Sequence, residues 1–275
     1  MAELPELEIL RRDLDKEVVG KKVKTVEVTV PAVVKRNTNK KVFATHLDGV
    51  KFDSAARRGS WLTLALDSGE VLMISLGPKG SLRRTQNKEP VAKGTAVTIT
   101  FTQHGQLRLI DGAKGSEMFV VAAEDVDGVI GKLGFDLIDE PVSWTAFGER
   151  LLRRDAKLKT ILMDPTFLVG VGPMYSDEVL FEAGLRPDRL PQSLSTQEIR
   201  RLYRATVEKI HDALKYGGST VGDDGFTDIH GKQGEYQSEL CVYQREGEMS
   251  PRARGPVVKT RFGSGYAYYC EQTQM

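Results

Sequence analysis

The chain contains very little cysteine, with Cys241 and Cys270 alone among its 275 residues. Two thiols exclude a disulfide-rich secreted scaffold and cannot by themselves complete a four-cysteine zinc site. Also missing is any apolar run long enough to cross a bilayer, and the amino terminus opens on an acidic, amphipathic stretch instead of a basic region followed by an apolar one. These absences lead us to expect a cytoplasmic protein with no membrane partner. An excess of one charge is absent too. With 39 basic residues against 38 acidic ones the net charge is +1, so a nucleic-acid surface has to come from local clustering. There is no internal repeat and no low-complexity tract. What is present, 40% apolar and 28% charged residues, is the composition of one large or two ordinary globular domains.

Leu7, Leu10, Leu14 and Val18 recur at three- and four-residue spacings with Gly20 behind them, which predicts an amphipathic helix and its stop. From Lys21 to about Ala122 the pattern changes to short period-two runs: Val26, Val28 and Val30; Leu62, Leu64 and Leu66; Val97, Ile99 and Phe101; then Met118 to Val121. Such runs, with Gly and Asn/Asp punctuation and little helix between them, predict an antiparallel β-sandwich capped by the first helix. Beyond Asp125 the pattern is helical, over Trp144 to Arg154, Lys157 to Met163 and Tyr175 to Ala183. The best-specified helix follows the capping-box string Ser195-Thr196-Gln197-Glu198, carries Ile199, Leu202, Tyr203, Ile210 and Leu214 on one face, and stops at Gly217-Gly218. A loop rich in Gly and Asp, Gly222 to Gly234, leads to a last segment, Cys241 to Cys270. Its Val257-Val258 and Tyr266 to Tyr269 stretches read as a β-hairpin.

The first six residues, Met1-Ala2-Glu3-Leu4-Pro5-Glu6, carry the most chemistry. A small second residue lets the initiator be removed, leaving an α-amine at Ala2 whose ordinary pKa of about 7.7–8.0 keeps part of it neutral and nucleophilic. Glu3 would stand beside it as an acid. An ordinary helix start with Pro5 in its first turn accounts for the same string.

Four segments in order then resemble the formamidopyrimidine-DNA glycosylase and endonuclease VIII family. They are Glu3-Leu4-Pro5-Glu6; Lys159-Thr160-Ile161-Leu162-Met163-Asp164; Gly170-Val171-Gly172-Pro173-Met174-Tyr175 running on to Phe181; and Gly234 to Glu248 before the hairpin. The resemblance covers essentially the whole chain. It implies an α+β fold: an amino-terminal helix and antiparallel β-sandwich over 1–130, a helix-two-turns-helix domain over 131–230, and a β-hairpin finger over 231–275. It implies duplex DNA as partner, abasic or damaged; the sequence does not fix the oligomeric state, and we expect a monomer. The implied reaction extrudes a damaged base and excises it through a Schiff base formed by an amino-terminal proline.

Departures fall on the chemistry more than on the scaffold. The nucleophilic proline is Ala2, a primary amine, while its companion acid matches Glu3. A strand lysine aligns with Ser60 in Arg57-Arg58-Gly59-Ser60. The side chains that fill the gap left by the extruded base align with Pro78 and Gly115, in the loops Ser75 to Gly80 and Asp111-Gly112-Ala113-Lys114-Gly115-Ser116. Four zinc cysteines align with Ser250, Ala253, Cys270 and Thr273, so the finger is expected to be zincless, with no cofactor. The hairpin arginine aligns with Gly265, and an asparagine after the second turn glycine is Pro173. Candidate DNA contacts that remain are Arg57, Arg58, Lys159, Gly170, Gly172, Lys259 and Arg261, with Ala2 and Glu3 as the candidate catalytic pair. Three functions follow from this pattern: a DNA-binding member with lost or strongly reduced base excision, a weak glycosylase or abasic-site lyase using the Ala2 amine, and a protein-interaction module on a repurposed scaffold.

Overall fold

The structure is a computed structural model that describes residues 2–103, 105–112, 114–222 and 225–275. Met1, Ala113, Asp223 and Asp224, which fall within segments singled out above, lie outside these. The chain folds as two compact units. The first runs to Gly131 and takes in Tyr216–Glu235; the second is Lys132–Lys215 with Tyr236–Met275.

In the first unit helix α1, Leu4–Glu17, starts at Glu3 with Pro5 in its first turn, where a missing N–H costs nothing. A reciprocal capping box forms: the Glu3 carboxylate accepts the N–H of Glu6 and the Glu6 carboxylate accepts that of Glu3. There follow β1 (Val23–Val28), α2 (Lys40–Leu47), β2 (Phe52–Arg58), β3 (Trp61–Leu66), β4 (Glu70–Ser75), β5 (Gly80–Thr85), β6 (Thr95–Phe101), β7 (Gln106–Asp111), β8 (Glu117–Ala122) and α3 (Val126–Ile130). They make two four-stranded antiparallel sheets, ordered β1-β6-β7-β5 and β2-β3-β4-β8. Alternating residues of both sheets, among them Leu62, Leu64, Leu66, Val97, Ile99 and Phe101, share one core with Leu7, Leu10, Leu14 and Val18 of the helix region. Each such side chain contributes about 1.5–3 kcal/mol by leaving water, so this seam fixes the amino-terminal helix on the sandwich. The expected sandwich and its capping helix are both present.

The second unit contains α4 (Trp144–Leu152), α5 (Leu158–Leu162), α6 (Pro173–Ala183), α7 (Thr196–Lys215) and the antiparallel hairpin β9 (Val258–Phe262) with β10 (Gly265–Tyr269). The Ser195 box forms as the sequence predicts, with Glu198 accepting the Ser195 N–H at 2.7 Å. Arg189, at 2.5 Å, then Ser195 draw the Glu198 carboxyl down to about 2. Helix α6 ends on Gly184 in the left-handed conformation. Its buried Glu178 side chain receives three successive backbone N–H groups, from Cys241 (2.8 Å), Val242 (2.9 Å) and Tyr243 (2.8 Å). That carboxylate ties the strap leading into the hairpin to the helix.

Candidate functional site

In the first unit, Ala2 borders a cavity of about 430 Å³ whose walls include Pro78, Lys79, Arg83, Lys93 and Phe226. Glu3 is buried beside it as the helix cap. Glu6, fully buried one turn on, holds two segments at once: Oε2 accepts the Glu3 N–H at 3.0 Å and Oε1 accepts the Ser219 N–H at 2.9 Å. Gly218 has φ of +82°, and a Cβ there would stand 3.1 Å from Glu6 Cγ, so glycine is what lets this turn close on the carboxylate. The helix start at Pro5 was legible; the reciprocal box of Glu3 and Glu6, the Ser219 contact and the cationic wall of Lys79, Arg83 and Lys93 were not.

The two loops aligned with gap-filling side chains pack on each other. A Cβ on Gly77 would fall 2.6 Å from the Gly115 carbonyl carbon, and one on Gly115 would meet Pro78 Cδ at 3.2 Å. Ser116 Oγ accepts the Gly77 N–H at 3.0 Å, and Asp111 Oδ2 accepts the Gly115 and Ser116 N–H groups. Pro78 and Gly115 thus close a seam between loops.

Of the two candidate arginines, Arg57 is only 3% exposed, with Nε 3.5 Å from Glu8 Oε2. Burial pushes the Glu8 carboxyl up, but Arg11, Arg12 and Arg57 together outweigh it and hold Glu8 below the usual carboxylate range. Arg58 is half-exposed and pairs with Asp127 at 2.9 Å.

In the second unit Gly170 adopts φ of +67° and Gly172 caps α6, its carbonyl accepting the Ser176 N–H at 3.1 Å. Lys159 is buried: its Nζ lies 2.5 Å from Asp177 Oδ1 and 3.2 Å from the Pro173 carbonyl. Burial, against the pull of Lys159, pushes the Asp177 carboxyl up to about 7. A groove of about 740 Å³ runs past Lys157, Lys159, Pro173, Arg261, Phe262 and Tyr266, so the structure brings Lys159 and Arg261 to one feature of this unit. Lys259 projects from the hairpin beside Tyr266 and Tyr268.

Ser250 and Cys270, at two of the four aligned zinc positions, are buried. Cys270 and Ala253 pack with Phe181, Val242 and Val257 in a small core of their own. Burial raises the Cys270 thiol, while Thr273 and Ser250 beside it outweigh that and bring it below its ordinary value. One thiol, two hydroxyls and a methyl do not fit a tetrahedral zinc shell. Gln274 secures the end instead, accepting the Cys270 N–H at 2.9 Å and donating to the Leu185 carbonyl at 2.8 Å.

Both units have counterparts among known proteins. Residues 1–117 match the formamidopyrimidine-DNA glycosylase N-terminal domain and residues 133–224 match the formamidopyrimidine-DNA glycosylase H2TH domain. A formamidopyrimidine-DNA glycosylase of Pelotomaculum thermopropionicum is 34% identical over all of this chain and 99% of its own, and one of Bacillus cereus is 35% identical over 98% of each. Among solved structures, Lactococcus lactis Fpg in complex with DNA containing an abasic site superposes with a TM-score of 0.91 at 28% identity, covering 99% of both chains. The same enzyme with DNA containing Fapy-dG gives 0.89 at 29% identity, over 99% of this chain and 100% of that one.

A β-sandwich opening on a capped amino-terminal helix, joined to a helix-two-turns-helix unit, defines one class of base-excision scaffold. The chain belongs to the formamidopyrimidine-DNA glycosylase and endonuclease VIII family.

Proposed function

We propose that this chain is a bacterial DNA-binding protein that engages abasic or damaged duplex DNA and has lost, or strongly reduced, base excision. The observation that carries the proposal is the seam between Pro78 and Gly115. Partial unstacking costs a few kcal/mol per base step, and a small proline ring packed on a glycine offsets much less of it than a longer apolar wedge would. Arg58, Lys259, Arg261 and the Gly170–Gly172 turn are the phosphate contacts in this proposal. Arg57 and Lys159, each occupied by a buried carboxylate, act by positioning their elements. The hairpin carries no zinc, and the protein works in the cytoplasm, on the chromosome. The test is a salt series of duplex binding beside single-turnover excision on a formamidopyrimidine-containing duplex, with an active family enzyme in parallel. Binding that weakens steeply with salt, without excision, is expected. Excision at the control's rate, or no binding at low salt, overturns the proposal.

The cationic cavity at Ala2 favours a second activity, lyase action at a site that has already lost its base. There the Ala2 amine adds to the open sugar aldehyde, water leaves, and an imine forms with Glu3 handling protons. No base needs extruding. Borohydride trapping on abasic duplex tests it: an adduct that disappears when the amino terminus is acetylated is expected, and an adduct indifferent to acetylation excludes Ala2.

A further inference from the structure

One face of the terminal hairpin sets aromatic rings beside two of the cations assigned to duplex phosphates, and the duplex contacts leave those rings unused. In the β9–β10 register Lys259 lies opposite Tyr268 and Arg261 opposite Tyr266, so all four side chains share one face of the ribbon. Lys259 Nζ stands 4.5 Å from the centre of the Tyr266 ring and 5.7 Å from that of Tyr268; the Arg261 guanidinium is 5.6 Å from Tyr266. Tyr243 meets Tyr268 edge-on at 5.4 Å and extends the row. The opposite face supplies most of the hairpin's own packing, through buried Ala267 and Tyr269, while Tyr268 is half-buried and packs one side against the small core of Phe181, Val242, Val257 and Cys270. Tyr266 is 46% exposed.

We propose that this face binds unpaired nucleotides of single-stranded DNA, with bases on Tyr266 and Tyr268 and phosphates at Lys259 and Arg261. Stacking platforms for single strands combine aromatic side chains with cations that follow the backbone, and they tolerate sequence because every base has a π-face. Tyr266 and Tyr268 are two residues apart on β10, about 6.8 Å, so each ring takes a separate base. Lys259 lies between the rings, where the phosphate joining those bases falls. Duplex DNA keeps its base faces stacked and has none to offer here, so the two cations serve the phosphates of single strand and duplex alike and the rings alone distinguish this binding mode from the duplex contacts. One carboxylate opposes it: Glu246 Oε2 lies 3.7 Å from Lys259 Nζ.

The test uses the full chain, a fluorescein-labelled oligo(dT) of about twelve nucleotides, and a blunt duplex of the same length, both read by anisotropy at low salt. Tyr266→Leu should weaken oligo(dT) binding about tenfold, the value of one stacked base, and leave duplex binding unchanged, while Tyr266→Phe retains both. Glu246→Gln should strengthen oligo(dT) binding by releasing Lys259. Wild-type protein that ignores oligo(dT), or Tyr266→Leu protein that binds it as tightly as wild type, overturns the proposal. If Tyr266→Leu disturbs the hairpin, Tyr266→Trp decides: its larger π-face should strengthen oligo(dT) binding and leave duplex binding unchanged, a gain that cannot come from unfolding, and no gain overturns the proposal. Since the oligo(dT) measurement does not require duplex binding, failure of this proposal and failure of the duplex proposal are seen separately.

Discussion

Replacing Glu178 should loosen the strap that leads into the terminal hairpin before it affects anything else. Its carboxylate accepts the N–H groups of Cys241, Val242 and Tyr243 and is fully buried. Hydrogen bonds to a charged acceptor are worth about 1.5–3 kcal/mol each, and a buried N–H left without a partner costs about 1–3 kcal/mol. In Glu178→Gln the remaining carbonyl can replace Oε1, which serves Val242 and Tyr243, but an amide NH2 then confronts the Cys241 N–H. The expected loss is about 2–4 kcal/mol. In Glu178→Ala all three donors are orphaned, for about 3–9 kcal/mol, a range that reaches the whole stability of an ordinary domain. Hydrogen exchange by mass spectrometry on the full chain, beside urea melts, reads both. Deprotection should centre on residues 240–245 in the Gln variant and spread through the second unit in the Ala variant. A Gln variant within about 0.5 kcal/mol of wild type, the range of an ordinary surface substitution, with unchanged exchange at 241–243 would refute the assignment of this carboxylate as the anchor.

Asp177 gives a pH signature. Its folded pKa, about 7, lies above the usual carboxylate value, so its contribution to stability is complete below about pH 4 and is lost as pH rises through 7. Between pH 5 and 8.5 the wild-type melting temperature should fall relative to that of Asp177→Asn; parallel curves would contradict the raised value. Restoring a wedge, as Pro78→Met together with Gly115→Phe, should raise single-turnover excision about ten- to a hundredfold, since a few kcal/mol of unstacking is then offset. Unchanged excision would show that the seam is not what limits the reaction. Protein purified without chelator should contain almost no zinc and melt identically with and without EDTA, and a stoichiometric zinc content released on melting would refute the zincless finger.

Much of the fold was legible because its determinants are local. The Ser195 capping box is a spacing of three residues, the first helix start is marked by Pro5, and the runs ending at Leu66 and Phe101 alternate apolar with other residues in the sequence. Strand β2 was not singled out, since its string Phe-Asp-Ser-Ala-Ala-Arg-Arg has little apolar alternation; its interior positions include Ala55 and Arg57. An arginine in such a strand reads as surface, and its burial depends on Glu8, which comes from a different element. Lys159 is a similar case: the family resemblance implies a phosphate ligand there, yet Asp177, on the next helix, pairs with it. The Ala2-Glu3 pair was visible from the start of the chain, whereas the cations around Ala2 come from two separate loops and strand β5 and became apparent only through folding.

The return of Tyr216–Glu235 to the first unit bears on how the protein is made. A ribosome delivers the sandwich strands early, but Ser219, which Glu6 needs, emerges only after most of the second unit has been synthesised. Until then the Glu6 carboxylate lacks one of the two N–H groups it holds in the finished fold. Gly234, whose Cβ would collide with the Gly218 carbonyl, arrives later still. The candidate chemical end of the molecule is therefore the first to be translated and among the last to be locked. A stalled or truncated chain ending before residue 216 carries Ala2 and Glu3 without the turn that holds them in place.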